Sequence, residues 1–293
     1  MKVNGVEIVD TYAEICEMKV CRFLITALSE DLAYECALKT TGFGTSIIMC
    51  PCETGIDCRA KETPDERPGY YVQAWHCDEK TLERQVMARI GQCVLTHPTT
   101  AVFNGLEDAE GYLEIGKKLR YFGDGFEEFE EFGGRRVWKI PRMDMDFVVE
   151  ETIGYKTGFA GGNFIIMAEN LPSALISAKV AVEAINKIEG VVTPFPIVSS
   201  GSKVGSRKYS FLKASLNERF VPKLRDVVDS EVPEGVKAVY EIVINGLSLD
   251  LVKRAMKVGI ESACRVEGVV RISAGNYGGK FGKHRIHLHE LFK

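Results

Sequence analysis

The chain has 293 residues, of which 45% are apolar and 27% charged, and these proportions are those of an ordinary globular protein with a substantial core. Its 37 basic and 41 acidic residues give a net charge of −4, so no basic excess indicates a nucleic-acid partner. No signal-peptide core and no run of about 18 or more apolar residues occurs, so we expect a cytoplasmic protein that neither crosses nor binds a membrane.

In the first half, a repeated strand–helix–strand order begins at residue 20. Ser29 can cap a helix that ends near Gly42, and Asp78 can open a second helix. Strands are predicted over residues 20–26, 45–50, 69–75 and 99–103. The side chains expected to face the core are Leu32, Cys36 and Leu38 in the first helix, and Leu82, Val86, Ile90 and Cys93 in the second.

The second half shows much the same order. Helices are predicted over residues 173–187 and 248–263, and strands over 163–168, 191–197, 236–244 and 269–273. The inward residues are expected to be Leu175, Ala178, Val182 and Ile185 in one helix and Leu251, Ala255 and Val258 in the other.

Each half therefore has the order β-α-β-β-α-β, which is the ferredoxin-like arrangement. We predict an α+β fold of two ferredoxin-like lobes, residues 1–148 and 149–293, each an antiparallel sheet covered by helices on one face. Three segments are extra to this plan: residues 53–68, expected to form a long loop, the acidic segment 105–150, and residues 198–235.

Metal and nucleotide motifs are poorly represented. The nine cysteines include no C-x-x-C pair, and neither a P-loop nor a G-x-G-x-x-G turn is present. The candidate metal ligands are limited to Cys50, Cys52, Cys58, His76 and Cys77 in the first half, and to His287 and His289 near the C-terminus. Reduced thiols and an exposed polar face are the better explanation of these groups, so we predict no metal site.

One charged residue, Glu241, lies inside an apolar strand. Because side chains alternate along a strand, Glu241 shares a face with Val239 and Val243. An apolar face disfavours the ionised carboxylate, and a protonated acid can donate a hydrogen bond to a developing oxyanion. The alternative is a carboxylate that faces solvent or pairs with a nearby cation.

Two polar segments are candidates for ligand contact. Residues 273–280, with three glycines, Asn276, Tyr277 and Lys280, follow a strand and would allow a ligand close to the backbone. A wide hairpin turn would have the same composition. The other segment is the polar turn of residues 199–203, followed by the basic residue Arg207.

Runs of sequence in both halves resemble the formylmethanofuran:tetrahydromethanopterin formyltransferases of archaeal one-carbon metabolism. The runs that carry this resemblance are residues 41–51, 91–101, 122–125, 160–164, 193–196, 200–205 and 274–292. They follow one another along the whole chain. One departure is a shortening between Pro196 and Val198, near the turn at Ser199.

The resemblance implies an enzyme that transfers a formyl group directly from formylmethanofuran to N5 of tetrahydromethanopterin. It implies no metal or prosthetic group, the two coenzymes as substrates, and assembly into dimers or tetramers. The active-site glutamate of the family matches Glu241. A non-catalytic coenzyme-binding subunit of a larger assembly, or an acyltransferase with a folate-type acceptor, remains an alternative.

The remaining contacts are inferred from residue type. The resemblance implies coenzymes with anionic tails, and cationic side chains are suited to bind these. The predicted substrate-binding residues are Ser200, Gly201, Ser202, Lys203, Arg207, Asn276, Tyr277 and Lys280.

Overall fold

A computed structural model describes residues 1–293. The strands are β1 (Lys2–Val3), β2 (Val6–Ile8), β3 (Tyr12–Thr26), β4 (Glu53–Arg59), β5 (Gly69–His76), β6 (Ala101–Asn104), β7 (Gly111–Leu113), β8 (Glu128–Phe132), β9 (Arg135–Ile140), β10 (Phe147–Glu150), β11 (Ile153–Ala168), β12 (Val191–Val192), β13 (Ser202–Val204), β14 (Ala214–Leu216), β15 (Ala238–Gly246), β16 (Val269–Ser273) and β17 (His284–His287). The α-helices are α1 (Glu30–Thr41), α2 (Glu79–Arg89), α3 (Ile115–Leu119), α4 (Leu171–Ile185) and α5 (Leu249–Ala263).

The chain forms two compact units. Unit 1 contains Met1–Glu17 and Phe159–Lys293, and unit 2 contains Met18–Gly158. The first 17 residues therefore group with the C-terminal part of the chain, whereas the prediction from sequence placed them in a lobe ending at residue 148. The chain passes from one unit to the other within β3 and within β11.

Unit 2 is built on the strand order β4-β5-β3-β6-β10-β9-β8. The first four of these strands are mutually antiparallel, and β10 joins β6 in parallel. Its core contains α1 and α2 side chains, such as Cys36 and Leu82, packed with Phe23 and Val72 of the sheet. The four antiparallel strands alternate with α1 and α2 along the chain in the order β-α-β-β-α-β.

Unit 1 repeats this plan with β11, α4, β12, β15, α5 and β16. Its strand order is β12-β15-β11-β16, and β2 extends the sheet by pairing in parallel with β16. Phe164 and Ile242 lie on the face of this sheet that packs against α4 and α5. The opposite face carries the alternate residues of β11 and β15, including Ile165 and Glu241.

Three of the four predicted helix starts are confirmed, whereas α4 begins at Leu171, after the cap Asn170, and not at residue 173. The Ser29 side chain accepts from the backbone N–H of Leu32, and Asp78 caps α2 in the same way. Ser248 caps α5 through the N–H of Leu251. Each of these bonds satisfies one of the backbone donors that a helix start leaves free.

The second predicted strand of the first half is wrong. Residues 45–50 form a turn, in which the N–H of Ile48 bonds the Ser46 hydroxyl and that of Ile47 bonds the Glu53 carboxylate. Such bonds compete with a strand ladder. The strand is instead β4, Glu53–Arg59, in the segment predicted as a long loop, where its buried Asp57 pairs with Arg22.

Other boundaries and faces also differ. β3 and β11 begin earlier than predicted, and β12 covers only Val191–Val192 of the predicted residues 191–197. Leu38 and Leu175 were predicted to face the core but are exposed, since the buried faces of α1 and α4 are made largely of alanine. No helix has the length and apolar character needed to cross a membrane.

Candidate active site around Glu241

Glu241 lies in the middle of β15, on the sheet face away from the helices. On one side β15 pairs with β11, where Ile165 is opposite Glu241. On the other side the backbone of Glu241 exchanges two hydrogen bonds with Val198, of 2.8 and 3.0 Å. Both edges of β15 are therefore fixed at this residue, so the direction of the Glu241 side chain follows from the strand.

The surroundings of the Glu241 carboxyl group are mainly apolar. Ile165 and Val239 of the same sheet face belong to a small cluster with Phe220 and Val232. The side chain is half-buried, and no group of the chain donates a hydrogen bond to its carboxyl oxygens. Burial raises the pKa of Glu241 from 4.5 to about 7. A large fraction of the group therefore keeps its proton at neutral pH.

A narrow cleft opens beside this carboxyl group. It is lined by Glu241, Ile165, Val239, residues 198–201, Asn217, Phe220 and Val221, and its volume is about 30 Å³. A space of this size holds about one or two water molecules. It could therefore receive a group of one or two non-hydrogen atoms next to Glu241, but not a whole coenzyme.

The loop that follows β16 lies on the same face. A Cβ atom placed on Gly275 would be 3.6 Å from Oε1 of Glu241, so the loop backbone approaches the carboxyl group closely. Asn163 of β11 fixes this point of the loop: its Oδ1 accepts from the N–H of Gly275 at 2.6 Å, and its Nδ2 donates to the Gly275 carbonyl at 3.0 Å. Asn163 is itself buried.

A second glutamate, Glu14 of β3, holds the rest of that loop. Its carboxylate accepts four backbone N–H bonds, from Tyr277 (2.6 Å), Gly279 (2.5 Å), Phe281 (3.0 Å) and Gly282 (3.1 Å). Burial alone would raise the pKa of Glu14, but these four bonds outweigh it and lower the pKa below 4.5. Glu14 is therefore a fixed carboxylate that orders residues 277–282.

Of the predicted binding residues in the first segment, Ser200 and Gly201 line the cleft with Glu241. Ser202 and Lys203 belong to β13, which pairs with β14, and the Lys203 ammonium already forms an ion pair with Glu218 at 2.5 Å. Arg207 is exposed and forms no ion pair.

Of the predicted binding residues in the second segment, Tyr277 is the one that interacts with the charge of Glu241. Burial first, and then the charges of Glu241 and Glu14, raise the pKa of its phenol. Asn276 is used inside the fold, where its Nδ2 donates to the Thr11 hydroxyl at 3.1 Å. Lys280 is exposed and has no ion-pair partner.

Sequence reasoning missed the roles of Glu14 and Asn163. Glu14 carries a signal that could have been used, since it is a lone charge between the apolar residues Ala13 and Ile15. Asn163 follows Gly161 and Gly162, and only the pairing of distant strands shows what it holds.

The candidate metal ligands do not gather into a site: no group of three or more His, Cys, Asp or Glu side chains is placed to hold an ion. The Cys50 thiol donates to the Cys52 carbonyl, and the Cys52 sulfur accepts from the Arg89 guanidinium. His289 bonds the carbonyl of Ile8.

Comparison with known proteins matches the chain in two consecutive parts. A family model described as formylmethanofuran-tetrahydromethanopterin formyltransferase matches residues 1–142, and a second, described as the FTR proximal lobe, matches residues 145–291. The chain belongs to this formyltransferase family. Its resemblance to curated relatives extends over the full length, as does its resemblance to solved structures.

A formylmethanofuran–tetrahydromethanopterin formyltransferase from Archaeoglobus fulgidus is 60% identical, and one from Methanopyrus kandleri is 54% identical, each with 100% of both chains covered. The solved formyltransferase from Methanosarcina barkeri superposes with a TM-score of 0.97 at 54% identity and 100% coverage of both chains.

A more distant solved structure is the formyltransferase/hydrolase complex FhcABCD from Methylorubrum extorquens, determined with methylofuran. One of its chains matches with a TM-score of 0.95 and 36% identity, with 100% of this chain and 99% of that chain covered. The mixed α+β fold is thus shared at high and at moderate identity.

Proposed function

We propose that this protein is a formyltransferase that moves a formyl group between formylmethanofuran and N5 of tetrahydromethanopterin, by direct transfer while both coenzymes are bound. Family membership supports the reaction, because relatives that are 60% and 54% identical over the full chain bear that name. The observation that carries the mechanism is the half-buried Glu241, whose pKa is raised by burial to about 7.

The chemistry needs little more than a positioned acid. The neutral N5 nitrogen attacks the formyl carbon, and negative charge develops on the formyl oxygen. Glu241 in its acid form donates a hydrogen bond to that oxygen. As the intermediate collapses, the bond from carbon to the methanofuran nitrogen breaks, and the proton from N5 passes to the departing amine. The same steps run backwards for the reverse transfer.

Exclusion of water is the second requirement, because water would hydrolyse the formyl group. The apolar side chains of Ile165, Val239 and Phe220 surround the acid, and the cleft beside it has the size of a formyl group. We infer that the formyl group enters this cleft while the larger parts of the two coenzymes lie outside it.

Coenzyme contacts are assigned by position. Ser200 and Gly201 would line the formyl cleft, and Tyr277 would stand beside the acid. The exposed cations Arg207 and Lys280 are available for the anionic tails. Asn276, Ser202 and Lys203 would act by shaping the two loops, since their polar groups are used within unit 1.

We further infer that the two units are ferredoxin-like lobes, which divide after Glu17 and after Gly158 where a single division at residues 148 and 149 was predicted. Support comes from the strand orders β6-β3-β5-β4 and β16-β11-β15-β12, which are the same when strands are counted within each unit. The reaction requires no permanently bound cofactor, which fits with a cytoplasmic enzyme whose only ligands are the two coenzymes.

A second candidate is a role within a larger assembly. The Methylorubrum extorquens relative was solved as part of a formyltransferase/hydrolase complex, so a chain with this fold can work beside other subunits. Self-association into a dimer or tetramer remains the prediction from the family resemblance. In either arrangement Glu241 would keep its place, because its surroundings are formed within unit 1.

The test is a spectroscopic assay of the purified chain with formylmethanofuran and each acceptor in turn. We expect formation of N5-formyl tetrahydromethanopterin by the chain alone, and little or none with tetrahydrofolate. Transfer that appears only after other subunits are added would support the non-catalytic subunit instead. Equal transfer to the folate would contradict the proposed acceptor.

A further inference from the structure

Two glutamates of unit 1 contact the same loop, residues 275–282, and their pKa values are shifted in opposite directions. Glu14 accepts four backbone N–H bonds from it, and the pKa of Glu14 lies below its ordinary value. Glu241 accepts none, and burial raises its pKa to about 7. Because backbone donors stabilise an ionised carboxylate, the supply of N–H groups distinguishes the two residues.

The loop residue that lies against Glu241 is Gly275, and its N–H points elsewhere. That N–H donates to Oδ1 of Asn163 at 2.6 Å, while Nδ2 of Asn163 donates to the Gly275 carbonyl at 3.0 Å and to the Gly161 carbonyl at 3.1 Å. One buried amide therefore occupies both polar groups of Gly275. The N–H of the loop residue that lies against the acid is therefore not available to Glu241.

We propose that Asn163 is a positioning residue that keeps Glu241 in its acid form, because its side chain holds the N–H of Gly275 away from the carboxyl group. The proposal rests on the proposed function only for its effect on turnover. The effect on the protonation of Glu241 follows from the hydrogen bonds of Asn163 and from the burial of Glu241.

Unit 2 provides an internal comparison. Leu24 and Ile165 each lie five residues before a helix cap, and Tyr71 and Glu241 each lie seven before one. Leu24 pairs with Tyr71 just as Ile165 pairs with Glu241. The counterpart of Glu241 in unit 2 is therefore Tyr71.

Gly275 of unit 1 corresponds to Gly105 of unit 2, and the two glycines are held by different hydrogen bonds. Arg22, the counterpart of Asn163, donates to the carbonyl of Gly105 at 2.9 Å, and the N–H of Gly105 bonds the backbone carbonyl of Arg22 at 3.0 Å. In unit 1 the equivalent N–H is taken by a side chain. Of the two glycines, Gly275 lies beside a carboxylic acid, and it is the one whose N–H donates to a side chain.

Few charged groups face Glu241. The cleft around it is lined by apolar or uncharged residues, and the phenol of Tyr277, with Glu14 beyond it, is the titratable group nearby. Removal of the Asn163 side chain would free the Gly275 N–H to bond the carboxylate, and each such bond lowers the titration midpoint of a carboxyl group by about one pH unit. A carboxylate at position 163 would act in the opposite direction by repulsion.

The experiment compares wild type, Asn163→Ala and Asn163→Asp in the full-length protein. Infrared difference spectra of ¹³C-glutamate-labelled protein across pH, with Glu241→Gln as the reference, report the Glu241 carboxyl group without need of activity. The pH profile of kcat gives the second readout. Asn104→Ala is the matched control, because the Asn104 side chain hydrogen-bonds both the N–H and the carbonyl of Leu106 in the same way within unit 2.

We expect the Glu241 midpoint and the alkaline limb of kcat to move down by about one pH unit in Asn163→Ala, and to stay or move up in Asn163→Asp. Asn104→Ala should lose stability but keep the wild-type midpoint. An unmoved midpoint in Asn163→Ala would overturn the proposal, and if that variant does not fold, a lowered midpoint in Asn163→Asp would do so. A different pair of results would count against the proposed function: a wild-type Glu241 carboxyl signal that does not change across pH, together with no formyl transfer by the wild type.

Discussion

The raised pKa of Glu241 makes replacement by glutamine stabilising at alkaline pH. In the unfolded chain the carboxyl group titrates near 4.5, and in the folded protein near 7. The folded state therefore binds more protons than the unfolded state between these values, so wild-type stability falls as pH rises through this window. Glutamine carries no charge and avoids this loss.

The magnitude follows from the two values. A rise of the Glu241 pKa from 4.5 to about 7 corresponds to a loss of about 3 kcal/mol of wild-type unfolding free energy. This loss is absent below pH 4.5 and complete above pH 7. Relative to wild type, Glu241→Gln should therefore gain up to about 3 kcal/mol of unfolding free energy between pH 4.5 and pH 8.5. The apolar residues Ile165 and Val239 that cause the burial are unchanged in the variant.

The assay is urea denaturation at fixed protein concentration at several pH values, followed by circular dichroism. The exposed Glu234, in the turn before β15, gives the matched control Glu234→Gln, for which we expect the wild-type pH dependence. A difference between wild type and Glu241→Gln that stays constant from pH 4.5 to 8.5 would refute the reasoning.

Three further predictions concern turnover and the loop. Because the proposed mechanism uses the acid form of Glu241, kcat should be high below pH 7 and fall tenfold per pH unit well above it, as a pH profile with saturating coenzymes will show. Glu14→Gln should lower stability at pH 7 by about 1–3 kcal/mol, because four backbone N–H groups lose their charged acceptor. It should also remove the loss of stability expected of wild type below pH 4.5, because folding lowers the pKa of Glu14. Denaturation at pH 7 and pH 3.5 measures both effects. Cys50→Ala and Cys93→Ala should keep wild-type kcat within about threefold, since direct transfer needs no thioester; abolished transfer in either would reopen a covalent route.

Local interactions were the predictable part of the fold. Ser29, Asp78 and Ser248 were identified as helix starts because a cap depends on residues within one turn. The strand at residues 269–273 was predicted with its observed bounds. These elements are specified by short stretches of sequence.

Elements that depend on distant partners were not predictable. β4 has a polar sequence, and its Asp57 is buried only because Arg22 and Gln73 lie beside it. The apolar residues Ile47 and Ile48 are held in a turn because their N–H groups donate to the side chains of Glu53 and Ser46. In both cases tertiary contacts override the local pattern.

The candidate site also has a local part that could be identified from the sequence and a part that depends on distant residues. Glu241 was singled out from the sequence because a lone charge in an apolar strand is a local signal, but the residues alone left its role open, and the family resemblance chose the acid. The parts of Glu14 and Asn163 could not be predicted, because Asn163 and Gly275 are 112 residues apart and Glu14 is 263 residues from Tyr277. Only the folded chain brings these groups together.

The central claim is that Glu241 supplies the acid for formyl transfer. It is tested most directly by kcat of wild type and Glu241→Gln at pH 6.5, with both coenzymes saturating. We predict a fall of about 10² or more, the size of the loss when an oxyanion donor is removed, with KM values changed little. A kcat within twofold of wild type would contradict the claim and remove Glu241 from the mechanism.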